Sequence, residues 1–341
     1  MKKLLLFTLA VVAVIGAFRW QEWRDWFAKG TVPQLTQEFS NSLVFIEGKA
    51  GSGSGFVCSL GGKKFVVTNQ HVIAGNPAAK FTLLDRSPIQ TGQASAAVGH
   101  DIMTFALSSE AKAMEVMNDV EKNAAIGDDV SVLGNSNGDR VIAPIAGKLV
   151  GIGPDRIEVS AEFVTGNSGS PIVHIKSGKV IGIATYATVR RIDSITGKPK
   201  DPPEVKRFGF RLDSVKKWEP IVWPAYTADF QTMEKVEART IELLKLLTKG
   251  HSTPTAYTDP AIWGPLERFA NAEKGGGLIK TDPVTAAKDL VNSLKIACET
   301  DITAALAVVR YDHFRHRLSE NQAIRAEFLK ALDRDMKRLR H

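Results

Sequence analysis

The hexapeptide Gly166-Asn167-Ser168-Gly169-Ser170-Pro171 carries the most specific chemistry in this 341-residue chain. A serine hydroxyl serves acyl transfer when a tight turn presents it beside backbone N–H groups aimed at a developing oxyanion. Glycines on both sides of Ser168 supply backbone freedom and leave no Cβ in the way of a substrate carbonyl. The N–H groups of Gly166 and Ser168 would then form the oxyanion hole. Hexapeptides rich in Gly, Asn and Ser are also ordinary turns, so Ser168 needs partners.

Two partners lie upstream. Phe65-Val66-Val67-Thr68-Asn69-Gln70-His71 puts a histidine directly after a strongly β-forming run. A general base held by a rigid element is what activation of a serine requires, although a lone histidine is more often a satisfied core residue. Between His71 and Ser168, Asp101 opens the apolar run Ile102-Met103-Thr104-Phe105-Ala106-Leu107. A carboxylate entering such a run is costly unless paired, and the imidazolium formed on His71 is a natural partner. Asp85 and Asp128 are rivals, but neither opens so apolar a segment. His313 and His316 stand three apart on a helical pattern, a spacing compatible with metal. Arg315 and Arg317 beside them favour a solvated basic face instead, so no metal and no cofactor are expected.

The elements that must position these residues are short. Ser42–Glu47, Ser54–Ser59, Lys64–Thr68, Phe81–Leu84, Asp129–Leu133, Arg156–Val159, Lys179–Ala184 and Phe208–Leu212 read as strands between Gly, Asn and Asp turns. Many short strands at close spacing indicate a sandwich or barrels rather than βαβ units. The segment from Ser109 to Ala125 reads as helical, and the basic, proline-containing segment from Val189 to Lys206 reads as a loop. Beyond Ala225 the pattern changes. Phe230, Met233, Val236, Ile241, Leu244 and Leu247 follow helical spacing, Asp282-Pro283 reads as N-cap and first turn, and Ser319-Glu320-Asn321-Gln322 reads as a capping box opening a last helix. The stretch 251–281 is expected to connect them. The expected division is a segment at 1–27, an all-β domain at 38–222 and an α-helical region at 226–341.

The set His71, Asp101, Ser168, in that order and with its flanking motifs, resembles the trypsin-like peptidase superfamily. Gly53-Ser54-Gly55-Phe56, Thr68-Asn69-Gln70-His71, Val132-Leu133-Gly134-Asn135, Ile181-Gly182-Ile183-Ala184-Thr185 and Phe208-Gly209-Phe210 extend the likeness over residues 40–222. Bacterial HtrA/Deg-type and glutamyl-endopeptidase-like branches are the nearest in pattern. The resemblance implies a double β-barrel with a chymotrypsin-like fold and a Ser-His-Asp triad in the cleft, making the chain a serine endopeptidase. It further implies that Thr185-Tyr186-Ala187 pairs with substrate backbone, and that Glu162, Phe163, Thr165 and Ala187 lie near the substrate. Two departures stand out. Asn167 replaces the aspartate that animal enzymes carry before the nucleophile, so activation by a newly cut N-terminus is not expected. The region after Trp223 does not read as a PDZ domain.

The bulk properties set outer bounds. A charge of +7 spread among acids fits a solvated basic surface, and no nucleic-acid module is present. The two cysteines, Cys58 and Cys298, make neither a disulfide framework nor a zinc site. Lys2 and Lys3 precede the apolar run 4–18, as in an export signal, and Trp20, Trp23 and Phe27 share a helical face suited to a membrane interface. Export to the periplasm or beyond is therefore expected, with cleavage or retention of the segment as an inner-membrane anchor left open. The expected partner is a protein or peptide substrate from among exported or envelope proteins; homo-oligomerisation is compatible with the sequence. A catalytically silent scaffold is the alternative, and a serine esterase is disfavoured because the Gly-x-Ser-x-Gly elbow is missing.

Overall fold

β-Branched and aromatic residues in short runs, punctuated by turn formers, give strands throughout the first part of the chain. The computed structural model describes residues 39–108, 111–136, 140–192, 199–249, 259–273 and 282–338. The N-terminal segment 1–27, the glycines at 275–277 and most of the connector 251–281 lie outside these. Among the described residues no helix is long and apolar enough to cross a membrane. The chain divides into two units, residues 1–221 and 222–341.

In the first unit, β1 (Leu43–Gly48), β2 (Gly51–Leu60), β3 (Lys63–Thr68), β4 (Lys80–Thr82), β5 (Thr91–Ala97), β6 (Met103–Leu107), β7 (Met114–Glu115) and β14 (Trp218–Pro220) form one sheet. Its order is β14-β5-β6-β3-β2-β1-β4, with β7 parallel to β2. Six further strands close a barrel: β8 (Asp129–Asn135), β9 (Ile142–Ile152), β10 (Arg156–Val159), β11 (Pro171–His174), β12 (Lys179–Ile192) and β13 (Pro199–Phe210). This is the chymotrypsin-like double-barrel fold, with its first barrel left as an open sheet and a helical region after it. Phe56, Cys58 and Val67 of the sheet, with Ile102 just before β6, share one buried cluster with Leu133, Val173 and Ile183 of the barrel. Val130, Leu149, Ile157 and Ile172 fill the barrel interior.

Three sequence expectations need correction. The segment from Ser109 to Ala125 is not a helix: it supplies β7 and only the short α2 (Val120–Asn123), which follows the even shorter α1 (Gln70–Ala74) in chain order. Met114 and Val120 are fully buried, and Asp119 at φ 49° interrupts any helical run. The segment from Val189 to Lys206 is not a plain loop, because β12 and β13 continue into it with Val189 opposite Val205 and Arg190 opposite Glu204. Pro202 and Pro203 are exposed there, as suits strand positions that give no N–H to a ladder. The final helix starts before Ser319, whose hydroxyl donates to the Arg315 carbonyl at 3.1 Å from mid-helix.

The second unit contains α3 (Trp223–Lys249), α4 (Pro260–Glu273), α5 (Pro283–Val308) and α6 (Asp312–Arg338). Leu243, Leu266, Phe269, Leu290, Leu294 and Phe328 form its core. Met233 and Val236 are buried as their spacing predicts, but farther along α3 Leu243 is fully buried while Ile241 is 58% exposed. Asp282 caps α5 by accepting the Thr285 N–H at 3.0 Å. A buried cation organises the interior: Arg325 donates to Asp301, to the Thr240 hydroxyl and to the carbonyls of Val236 and Cys298. Cys58 and Cys298 are both buried free thiols, and burial raises the pKa of each, that of Cys298 to about 11. His316 is exposed and faces Glu320 at 3.4 Å.

Candidate active site

β3 ends in buried Val66, Val67 and Thr68, and α1 follows at once. Burial of Val72 and Ile73 fixes the rotation of this single turn. It leaves His71 36% exposed, while the Asp101 carboxylate is 12% exposed. His71 Nδ1 lies 2.5 Å from Asp101 Oδ2, and the His71 backbone N–H donates to Asp101 Oδ1 at 3.0 Å. One carboxylate therefore holds both the ring and the backbone of the same histidine. An ionised carboxylate is acceptor-only, so Nδ1 carries the proton and Nε2 the lone pair.

Two residues of the Thr68-Asn69-Gln70-His71 motif keep this pair in place. Asn69 is fully buried and gives both amide hydrogens away, to the Asp101 carbonyl at 2.7 Å and to the Thr185 hydroxyl at 3.1 Å. Gln70 donates to the carbonyls of Ala97 and His100 at 3.3 and 2.8 Å. A side-chain amide on each side of the β3–α1 junction thus ties the histidine turn to the aspartate turn. The motif marked both residues in the sequence, but nothing in it gave them these contacts.

The rival carboxylates are engaged elsewhere. The hydroxyl and N–H of Ser87 hold Asp85 below the usual carboxylate range. Asp128 is also lowered, chiefly by the Ala125 N–H against its own desolvation, with His174 3.1 Å away.

Ser168 stands on the turn between β10 and β11. Gly166 and Gly169 have φ of 92° and 89°, the left-handed region that favours glycine. A Cβ on Gly169 would run into the Ser54 carbonyl oxygen. Ser54 fastens the turn from the opposite sheet: its N–H donates to the Ser168 carbonyl at 2.8 Å, and its hydroxyl donates to the Gly166 carbonyl at 2.8 Å. Asn167 faces inward, accepting the Val164 N–H at 2.9 Å. The Ser168 hydroxyl donates to the Thr185 carbonyl at 3.5 Å. Among the described residues, the N–H groups of Gly166 and Ser168 have no backbone acceptor. A Cβ on Gly53 would sit 2.7 Å from Val72 and 3.3 Å from the Ser168 carbonyl oxygen. Gly53 therefore lets the histidine turn and the serine turn approach each other.

The residues expected to touch substrate fall in several environments. Thr185 is buried, Tyr186 is half-buried and Ala187 is exposed, in succession along β12. Past Ala184, β12 pairs with β13 alone among the described residues, which leaves its other edge open. Tyr186 stacks on Phe208, and its hydroxyl accepts from Arg156 at 2.9 Å. Glu162 and Thr165 are exposed. Phe163 is packed into the barrel core, and its carbonyl oxygen accepts the Arg207 Nε–H at 3.1 Å.

Residues 53–183 match the trypsin-like peptidase domain. No curated protein matches the chain in sequence. Among solved structures, the chain is similar to the Rv3671c protease of M. tuberculosis, with 21% identity over 53% of this chain and 86% of that one, at a TM-score of 0.41. It is similar to a serine endoprotease of Yersinia pestis, with 19% identity over 53% and 62% at 0.40. It is also similar to the HtrA-type protease AlgW, with 20% identity over 54% and 60% at 0.41. The chain spans less than two thirds of the length of the last two. The matched stretch covers the histidine strand, the aspartate turn and the serine turn, so this part of the chain is similar to a trypsin-like peptidase domain.

Proposed function

We propose that this serine endopeptidase works through Ser168 as nucleophile, His71 as general base and Asp101 as the group that orients the histidine. The observation that carries the reading is the double attachment of His71 to Asp101, through Nδ1 at 2.5 Å and the backbone N–H at 3.0 Å. That attachment leaves Nε2 as the basic nitrogen. His71 Nε2 takes the Ser168 proton as Oγ attacks the scissile carbonyl, and the N–H groups of Gly166 and Ser168 receive the negative charge on its oxygen. His71 then protonates the departing amine, and water, deprotonated by the same nitrogen, hydrolyses the acyl-enzyme. The open edge of β12 at Thr185–Ala187 supports binding of substrate as an added strand. The basic-then-apolar N-terminus favours action on exported or envelope proteins.

A fluorophosphonate probe tests the assignment. Wild type should be labelled and should hydrolyse casein, while folded Ser168→Ala and His71→Ala should do neither. Folded wild type that resists the probe would point to a silent scaffold.

A further inference from the structure

The inner face of the second barrel receives one arginine near the serine turn. Directly opposed residues of paired strands share a face. Gly209 opposes Ile157 and Arg207 opposes Val159, and both Ile157 and Val159 are buried in the barrel core. The Arg207 side chain therefore leaves β13 on the inner face, at the level where Ala187 stands opposite on β12. That level is close to the nucleophile. Thr185 accepts the Ser168 hydroxyl, and Ala187 is two residues farther along the strand, about 7 Å by strand rise. From the other side, the Arg207 Nε–H donates to the Phe163 carbonyl, in the segment that runs into the serine turn.

Among the described residues no carboxylate pairs with the charge at this point. Arg207 is half-buried, and among the described residues its guanidinium has that one hydrogen bond and no carboxylate within ion-pair distance. Arg211, Arg239 and Arg325 each hold an acid directly. A partly desolvated guanidinium without a counter-ion is unfavourable unless an anion completes it, and its remaining fork of N–H donors matches a carboxylate. Glu162 has the opposite charge, but it is exposed between buried Ala161 and Phe163.

We propose that Arg207 determines primary specificity, receiving the glutamate or aspartate side chain of the residue whose carbonyl Ser168 attacks. The inference rests on the reading of Ser168 as nucleophile and of Thr185–Ala187 as the substrate strand. In that arrangement the side chain on the acyl side of the scissile bond enters between the serine turn and β12, where Arg207 waits. Ala187 leaves room for it.

The test uses tripeptidyl diphenyl phosphonates that differ only in the terminal side chain, those of Glu, Gln, Leu and Lys. Each inactivates by phosphonylating Ser168 Oγ with loss of phenol. The generic fluorophosphonate runs alongside as a control for a working nucleophile. Wild type should react with the Glu probe roughly 10- to 100-fold faster than with the Gln probe, the range expected for a charge-assisted hydrogen bond. Arg207→Gln should abolish that ratio while keeping fluorophosphonate labelling, and Arg207→Lys should retain part of it. Fluorophosphonate labelling combined with a Leu or Lys preference, with no reaction towards any of the four peptides, or with an unchanged ratio in Arg207→Gln would overturn the proposal alone. Failure of the fluorophosphonate on folded protein would instead remove the nucleophile assignment on which it rests.

Discussion

Asn69 and Thr185, 116 positions apart in sequence, meet through a 3.1 Å hydrogen bond from the Asn69 amide to the Thr185 hydroxyl. The same amide holds the Asp101 carbonyl, and the Thr185 carbonyl accepts the Ser168 hydroxyl. One buried side chain thus connects the aspartate turn of the sheet with the serine side of the barrel. Asn69→Ala removes two hydrogen bonds of a fully buried side chain and should cost about 1–3 kcal/mol. Thermal melting should show a lower Tm, and fluorophosphonate labelling should slow because the two halves of the site lose their common anchor. A lower Tm with an unchanged labelling rate would restrict Asn69 to a purely structural role.

Asp101→Asn should leave the fold intact, since an amide oxygen can still accept the His71 backbone N–H. It should nevertheless lower kcat by about 10^4-fold, because the ring loses the acceptor that fixes its proton on Nδ1. Circular dichroism beside peptide hydrolysis separates the two effects. A loss of less than tenfold would show that Asp101 does not orient the base.

Gly169→Ala places a methyl group against the Ser54 carbonyl oxygen at a φ of 89°. Left-handed strain and overpacking together should destabilise the first unit by about 2–5 kcal/mol. Urea unfolding followed by tryptophan fluorescence measures this. A substitution tolerated within 0.5 kcal/mol, roughly the range of a neutral surface change, would mean that the turn can move away from Ser54.

Acid should weaken the helical unit through Asp259. Burial pushes this carboxyl up, but the hydrogen bond from Arg239, the Ala261 N–H and the charges of Arg239 and Arg325 outweigh burial and hold it below its ordinary value. A depressed pKa contributes stability that is present above the unfolded value, about 3.9, and is lost as the pH falls through the folded one. Asp259→Asn should therefore be less stable than wild type at pH 7, with the gap closing as the pH falls below the unfolded value and through the depressed folded one. Chemical denaturation at several pH values checks this, and a gap independent of pH would contradict it.

The part of the fold governed by local rules was legible in the sequence. Strands such as Arg156–Val159 are bounded by turn residues and coincide with what the spacing predicts. The glycine-flanked serine turn was visible because no other residue suits φ near 90°. What escaped depends on contacts across the chain. Nothing local shows that Asn69 reaches Thr185, or that Arg207 turns inward once it opposes Val159. The stretch 109–125 misled because apolar residues spaced like a helix can bury equally well as a strand edge, as Met114 does beside Cys58. Ser319 misled because a serine hydroxyl can satisfy a carbonyl one turn back within a helix as readily as it can begin one.

The strand β14 is made last in the first unit yet pairs with β5, Trp218 opposite Ala97 and Pro220 opposite Ser95. Gln93 on β5 also donates to the Ile221 carbonyl. A growing chain therefore exposes the β5 edge of its first sheet until residues 218–221 have emerged, long after the serine turn is synthesised. Pairing over such separation is slow because loop closure precedes any gain from contact. Translation order thus acts as a timer: completion of the sheet that carries His71 and Asp101 is deferred until the whole domain exists, and a truncated product ending short of residue 218 is left with an open strand edge prone to aggregation.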